Sequence, residues 1–183
     1  LADLSLPLQE RVAVQFKVPE SWSVAAPWPW NAGRSAFLPA RMEDLADAAV
    51  GVGRLRGYEM REPGMNLRVM APLSWDAAQA DQCAEGVSQL LRGVQQVFGC
   101  APDLAEQADL LVLLQPAEAQ DGMPEARSLG SRVIVARSSP DLSLELKRGL
   151  LREAYELWNG AGSRVALPGM PPGQDARPLL LAG

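Results

Sequence analysis

Between Ser74 and Gly99 the apolar residues Cys83, Val87, Leu90, Leu91, Val94, Val97 and Phe98 recur every three or four positions. That spacing lines them along one face of an α-helix. The segment therefore predicts a single amphipathic helix from Ser74 to Phe98, with Val87, Leu90, Val94 and Phe98 in a core. Ser74 suits its N-cap and Asp76 its first turn. Gly99 stops it, and Pro102 confirms the stop. A helix with one apolar face must lay that face on something, and the flanking segments read as a sheet. Glu62-Pro63-Gly64-Met65 is a turn signal between two strand-like runs, Gly51 to Met60 and Asn66 to Pro72. Ala108 to Leu114 contains the continuous run Leu110-Leu111-Val112-Leu113-Leu114, which fits a central strand covered on both faces.

Two further strands are expected. Arg132 to Ala136 carries Val133, Ile134 and Val135. Arg11 to Val18 alternates Val12, Val14, Phe16 and Val18 against Ala13, Gln15 and Lys17, the pattern of a half-buried strand. A second long helix opens at Ser139-Pro140-Asp141 and runs to about Trp158, where Asn159 and Gly160 end it. Met42 to Ala49 reads as a short helix or turn. Pro27 and Pro29 among tryptophans forbid regular structure around them. The fold class is then α+β: a mixed sheet of about five strands packed by two long helices. Residues 1–159 form one domain. Residues 160–183 form a Gly/Pro-rich tail whose apolar end, Leu179-Leu180-Leu181, is available to dock on it.

Composition excludes several functions. None of the 183 residues is histidine, which removes histidine general bases, Ser-His-Asp and Cys-His nucleophile systems and every His-ligated metal site. Two cysteines cannot build a thiolate zinc site by themselves. Cys83 sits on the helical stripe and Cys100 beyond the helix end, roughly 25 Å apart along a continuous helix. A disulfide between them is excluded, and both read as free, largely buried thiols. The net charge of −5 argues against a nucleic-acid binder. No apolar run approaches the length of a membrane span. No cofactor is expected. A removed signal peptide before Leu1 would place the domain in the cell envelope or periplasm.

The second helix reads Leu150-Leu151-Arg152-Glu153-Ala154-Tyr155-Glu156-Leu157-Trp158-Asn159. It resembles the H-E-x-x-H-x-W-N helix of the glycyl aminopeptidases, PDZ-containing members of the thermolysin-like zinc peptidases (gluzincins). In that motif two histidines four apart reach one zinc, and the intervening Glu activates the metal-bound water. Here Arg152 and Glu156 occupy the histidine positions, Glu153 keeps the general-base position, and Trp158-Asn159 keeps the trailing pair. The similarity runs upstream in order. Val18-Pro19-Glu20-Ser21-Trp22 is similar to the family's Leu-Pro-x-Gly-Trp. Asp44-Leu45-Ala46-Asp47 followed by Gly51-Val52-Gly53 is similar to its Asp-x-Leu-Val-Asp segment. Phe98-Gly99-Cys100-Ala101-Pro102 is similar to its Phe-Gly-x-x-Pro, and Gly122-Met123-Pro124-Glu125-Ala126 to its Gly-Leu-Glu-His loop.

The resemblance spans roughly residues 9–159 and implies the sheet-bearing half of a thermolysin-like domain without its metal site. Arg152, Glu153 and Glu156 are then vestigial metal-site positions, and Glu125 and Ala126 vestigial substrate-loop positions. Arg152 and Glu156 can form an i,i+4 ion pair worth about 0.3–0.5 kcal/mol at a surface. Glu153, with no metal and no histidine partner, reads as a solvated charge. In such peptidases the sheet-edge strand before the motif helix pairs with extended substrate. Its counterpart is taken as Arg132, Val133, Ile134, Val135 and Ala136, a candidate edge for peptide addition. Trp22 and Trp158 match family positions and are expected in the core. Trp28 and Trp30 either pack onto the domain or form an exposed anchor for a partner. The expected function is a non-catalytic pseudoenzyme that binds a peptide or protein. The alternative is an assembly subunit with no peptide groove, and an active metallopeptidase ranks last.

Overall fold

A computed structural model of the chain describes residues 12–39, 45, 48–62, 65–99, 109–117, 125–129 and 132–162, with Glu62, Glu125 and residues 160–162 as backbone alone. In chain order the elements are β1 (Ser23–Ala25), β2 (Trp30–Asn31), β3 (Ala36–Phe37), β4 (Gly51–Gly53), β5 (Leu55–Glu62), β6 (Met65–Pro72), α1 (Ala77–Phe98), β7 (Asp109–Pro116), β8 (Glu125–Leu129), β9 (Val133–Ser138) and α2 (Leu144–Gly162). Five strands make one mixed sheet in the order β5-β6-β7-β9-β8. The β5–β6 hairpin closes with Glu62 opposite Met65, as the Pro-Gly signal predicts. β6, β7 and β9 run parallel, and β8 returns antiparallel on the outer side of β9. This is the α+β class expected, with two helices on one face.

Membership of the sheet differs from the expectation at two places. Residues 12–18 keep the predicted alternation of half-buried and exposed side chains, but they join no sheet. Their only described pairing is an isolated bridge from Val14 to Phe37. The fifth strand is β8, a short and charged segment without apolar alternation. It lies in the connection between the parallel strands β7 and β9, and such a connection must cross from one strand end to the other. The run from Gly51 to Met60 is also two strands, β4 and β5, separated at Arg54. Pro27 and Pro29 do not prevent all pairing nearby, because β2 and β3 form a small hairpin just after them. Cys100 and most of residues 42–49 lie outside the described residues, although Leu45 is helical.

The stripe on α1 does what its spacing predicts. Cys83, Val87, Leu91 and Val94 are buried, joined by the small residues Ala80 and Ala84, and Leu90 and Phe98 pack at the margin. Val97 is instead 85% exposed. Ten residues beyond Val87, it is turned about 80° from the stripe's axis. The cap is Asp76 rather than Ser74, and its carboxylate accepts from the backbone N–H of Ala78 (2.9 Å) and Gln79 (3.4 Å). Gly99 closes the helix at φ 69°, a left-handed position that suits glycine. α2 likewise starts later than its sequence suggests. Ser143, not Ser139, caps it by accepting from the Leu146 N–H at 3.1 Å. α2 also continues past Asn159 and Gly160 to Gly162.

The core has two sides. Towards the helices, Leu67, Val69, Leu110, Val112, Leu114 and Ile134 meet α1 and α2. On the other side, Met70, Leu111, Leu113 and Val133 meet the N-terminal segment through Ala25. Leu91→Ala should cost about 2–5 kcal/mol, the range for emptying a buried leucine site. Val97→Ala should change stability by no more than about 0.5 kcal/mol. Urea melts of the two variants check the facing of the helix, and equal losses would mean that it is wrongly seated.

Candidate functional site

The positions singled out on α2 meet the outermost strand of the sheet. Gly149 allows the approach: a Cβ there would come within 3.3 Å of Ala126 Cβ, already a tight contact. One turn further along, Glu153 is 6% exposed and reaches β8. Its Oε2 accepts from the Ser128 backbone N–H at 2.6 Å. Its Oε1 accepts from Arg152 Nε at 3.1 Å and Arg152 Nη2 at 2.9 Å. Arg152 Nη2 also donates to the Ala126 carbonyl at 3.3 Å. Two adjacent helical residues thus satisfy one N–H and one C=O of the edge strand.

The structure places Arg152, Glu153 and Ala126 side by side. Arg152 pairs with Glu153, its chain neighbour, and not with Glu156. Glu156 is exposed. Glu153 is not a solvated charge. Burial is the largest influence on its carboxyl and pushes its pKa up. The Ser128 backbone N–H and hydroxyl, together with Arg152, outweigh that and hold it below the ordinary glutamate range. Ser128 escaped the sequence reading because β8 has no apolar pattern. Glu125 is the first residue of β8 and Ala126 the second.

The strand of Arg132 to Ala136 is not an edge. Arg132 lies in a turn before β9, and β9 is flanked by β7 on one side and β8 on the other. Its apolar character is that of an interior strand, with Val133, Ile134 and Ala136 fully covered. The edge beside the motif helix is β8. The tryptophans also divide. Trp28 is buried among Ala26 and Phe37, while Trp30 is 54% exposed. Trp158 is buried as expected, but Trp22 is 45% exposed and serves no core. Cys83 is buried, and burial followed by the nearby Asp141 pushes its thiol up to about 11, far from a nucleophile's range.

These residues do not fit a zinc ion. A guanidinium cannot ligate a cation, and it stands where a ligand would be needed. Both oxygens of Glu153 are already committed to donors. Among the described residues no three Cys, Asp or Glu side chains converge as a metal site would require.

No protein-family model matches the chain, and no curated protein matches it either. Thirty-two chains of solved structure are similar to it. One is the crystal structure of an aminopeptidase N family protein from Idiomarina loihiensis, with a TM-score of 0.53 and 13% identity. This chain shares its fold with part of that protein. The match covers 84% of this chain but 28% of that protein, so the likeness concerns a fraction of the larger molecule. At that identity it is the fold that is shared.

Replacing Glu153 by Gln should destabilise the protein by about 1–3 kcal/mol at neutral pH, because the Ser128 N–H and the Arg152 guanidinium lose a charged, buried acceptor. The carboxyl's pKa is lower folded than unfolded. Its stabilisation is therefore complete above the unfolded value, near 4.3, and fades as pH falls through the folded one. The gap between parent and variant in denaturant melts should shrink as pH is lowered from 5 towards 3. A gap independent of pH would mean that the carboxylate's charge is not its source.

Proposed function

We propose that this chain is a non-catalytic derivative of a peptidase-like domain, a pseudoenzyme whose function is to bind a protein or peptide partner. The observation that carries this reading is the engagement of Glu153. A general base needs a free oxygen and a pKa near the working pH. Glu153 has donors on both oxygens and a carboxyl held below the ordinary range. The peptidase-like neighbour supports the ancestry, and the wholly histidine-free sequence supports the loss of metal chemistry.

The same geometry bears on where a partner binds. Peptide addition to β8 would use its outward backbone groups. The Ser128 N–H and the Ala126 carbonyl already serve α2. A peptide strand there would have to displace the Arg152–Glu153 pair, which favours contact elsewhere on the surface. A second reading, a structural subunit of a larger assembly, is favoured by Leu144, Leu151 and Tyr155. These exposed apolar residues lie seven and then four positions apart along one face of α2. No described helix is long and apolar enough to cross a membrane.

Purified, untagged protein dialysed without chelator should hold no stoichiometric zinc and should cleave no aminopeptidase substrate. One tightly held zinc per chain, or turnover that a chelator abolishes, would overturn the reading. Arg152→His with Glu156→His restores two nitrogen donors one turn apart. That double variant should gain only weak zinc affinity, stronger at pH 8 than at pH 6, because neutral imidazoles are required. Calorimetric titration of parent and variant checks it.

A further inference from the structure

On the face of the sheet away from the helices, the N-terminal segment arches over β5 and β6 and leaves a cavity of about 430 Å³. That volume lies at the small end of ligand pockets. Its walls are apolar and largely aromatic: Phe16, Val18, Val24, Trp30 and Phe37. The rings form a run, with Trp30 edge-on to Phe37 at 4.9 Å and Phe16 edge-on to Phe37 at 5.8 Å. Phe37 is buried, but Trp30 keeps more than half of its surface exposed.

Two charged side chains line the cavity, Glu59 and Arg68, and they face each other across the β5–β6 pair. They are not equivalent. Arg68 is committed elsewhere: its Nε lies 2.9 Å from Asp109 Oδ2, and its Nη2 donates to the Ala26 carbonyl. Glu59 is exposed and makes no hydrogen bond or ion pair among the described residues. Glu59 is opposite Arg68, and Asp109, the ion-pair partner of Arg68, is opposite the next same-face residue of β6, Asn66. With Arg68 held by Asp109, Glu59 is the lining charge without a partner among the described residues, and Arg61, two residues along the same face of β5, does not line the cavity. Lys17, between the lining residues Phe16 and Val18, is exposed on the opposite side of the extended segment and does not neutralise Glu59.

We propose that this cavity receives a cationic side chain, lysine or arginine, from a protein partner. The aromatic faces attract a cation through their quadrupoles and cover its aliphatic stem, while Glu59 supplies the counter-charge. This inference rests on the partner-binding reading above and names the chemistry of the partner. It is independent of whether Glu153 is catalytically inert, so zinc or peptidase activity would overturn the non-catalytic part of that reading and leave partner binding at this cavity standing.

The test uses full-length protein with 15N-labelled tryptophan, in which the Trp30 indole N–H is assigned by its loss in Trp30→Phe. The probes are the capped tripeptides acetyl-Gly-X-Gly-amide with X as Arg, Lys, norleucine or Glu, and tetramethylammonium as a free cation. The Arg and Lys peptides should shift the Trp30 signal saturably, and more strongly at low salt. Norleucine and Glu peptides should not. Glu59→Gln should weaken the basic peptides roughly fivefold or more, and Glu59→Asp should retain part of the affinity. The buried Trp75 and Trp158 signals should stay unchanged in both variants, which reports that they fold. Equal binding of norleucine would reduce the cavity to an apolar pocket. Preferential binding of Glu would make Arg68 the receptor. Tetramethylammonium binding as tightly as the peptides would reassign the site to a free small cation. Any of these, or no shift with basic peptide at millimolar concentration, overturns the proposal.

Discussion

The architecture depends on a central strand that is apolar on both faces. In β7, residues 110–114 are all buried, with Leu110, Val112 and Leu114 on one side and Leu111 and Leu113 on the other. A strand of this kind cannot stand at a surface, and it forces two covers. The helices supply one. The other is the N-terminal segment, which has little regular structure and is held by contact with the sheet. Gly51 approaches so closely that a Cβ there would come within 2.7 Å of the Leu113 side chain. Arg68 reaches up from β6 to the Ala26 carbonyl. Short pairings such as β1–β4 and β2–β3 are then enough, since burial of Ala25, Ala26, Trp28 and Phe37 does the rest.

Requiring a second cover also explains why the two faces differ in character. Helices bury their stripe continuously, and the face beneath α1 and α2 closes into one cluster of large side chains. An irregular segment follows the sheet less closely. Its contacts split into two smaller clusters, one around Leu111 and Leu113 and one around Trp28 and Phe37. The aromatic cavity lies at the outer margin of the second, over Glu59 and Arg68. Charged residues on the sheet survive there because Arg68 is balanced by Asp109. An unpaired charge is tolerated at Glu59 because it remains in contact with solvent.

Much of the fold was legible because its long elements carry strong periodicity. The stripe on α1, the Pro-Gly hairpin and the apolar run of β7 each fix both the type and the place of an element. What escaped was short or set by tertiary contact. β8 has five residues, and its identity as an edge strand comes from pairing with β9 and from α2, neither of which leaves a pattern in Glu125-Ala126-Arg127-Ser128-Leu129. Without β8, the apolar β9 reads as the edge, although its hydrophobicity is the mark of an interior strand. The caps moved for a similar reason. Ser74 and Asp76, or Ser139 and Ser143, are equally good N-caps by residue type, and the chain's path out of the sheet selects between them. At the site, the sequence offers Glu156 as the partner of Arg152 and gives no sign of Ala126, because i,i+4 spacing says nothing about a strand approaching from outside.

The tie between α2 and β8 links a helix to the edge of the sheet. The fork of Arg152 is suited to that. It offers several donors in one plane and divides them between the Glu153 carboxylate and the Ala126 carbonyl. Glu153 is the other half of the link, because its second oxygen takes the Ser128 N–H. A buried carboxylate alone would be costly, and an edge strand with free backbone groups would be open to non-specific pairing. Each difficulty is the remedy for the other. The charge that would be unstable in the interior is stabilised by the backbone that would be unpaired at the edge, and the arginine neutralises what remains. A neutral pair of residues at 152 and 153 could preserve the helix, but it would leave β8 with an exposed N–H and C=O facing α2.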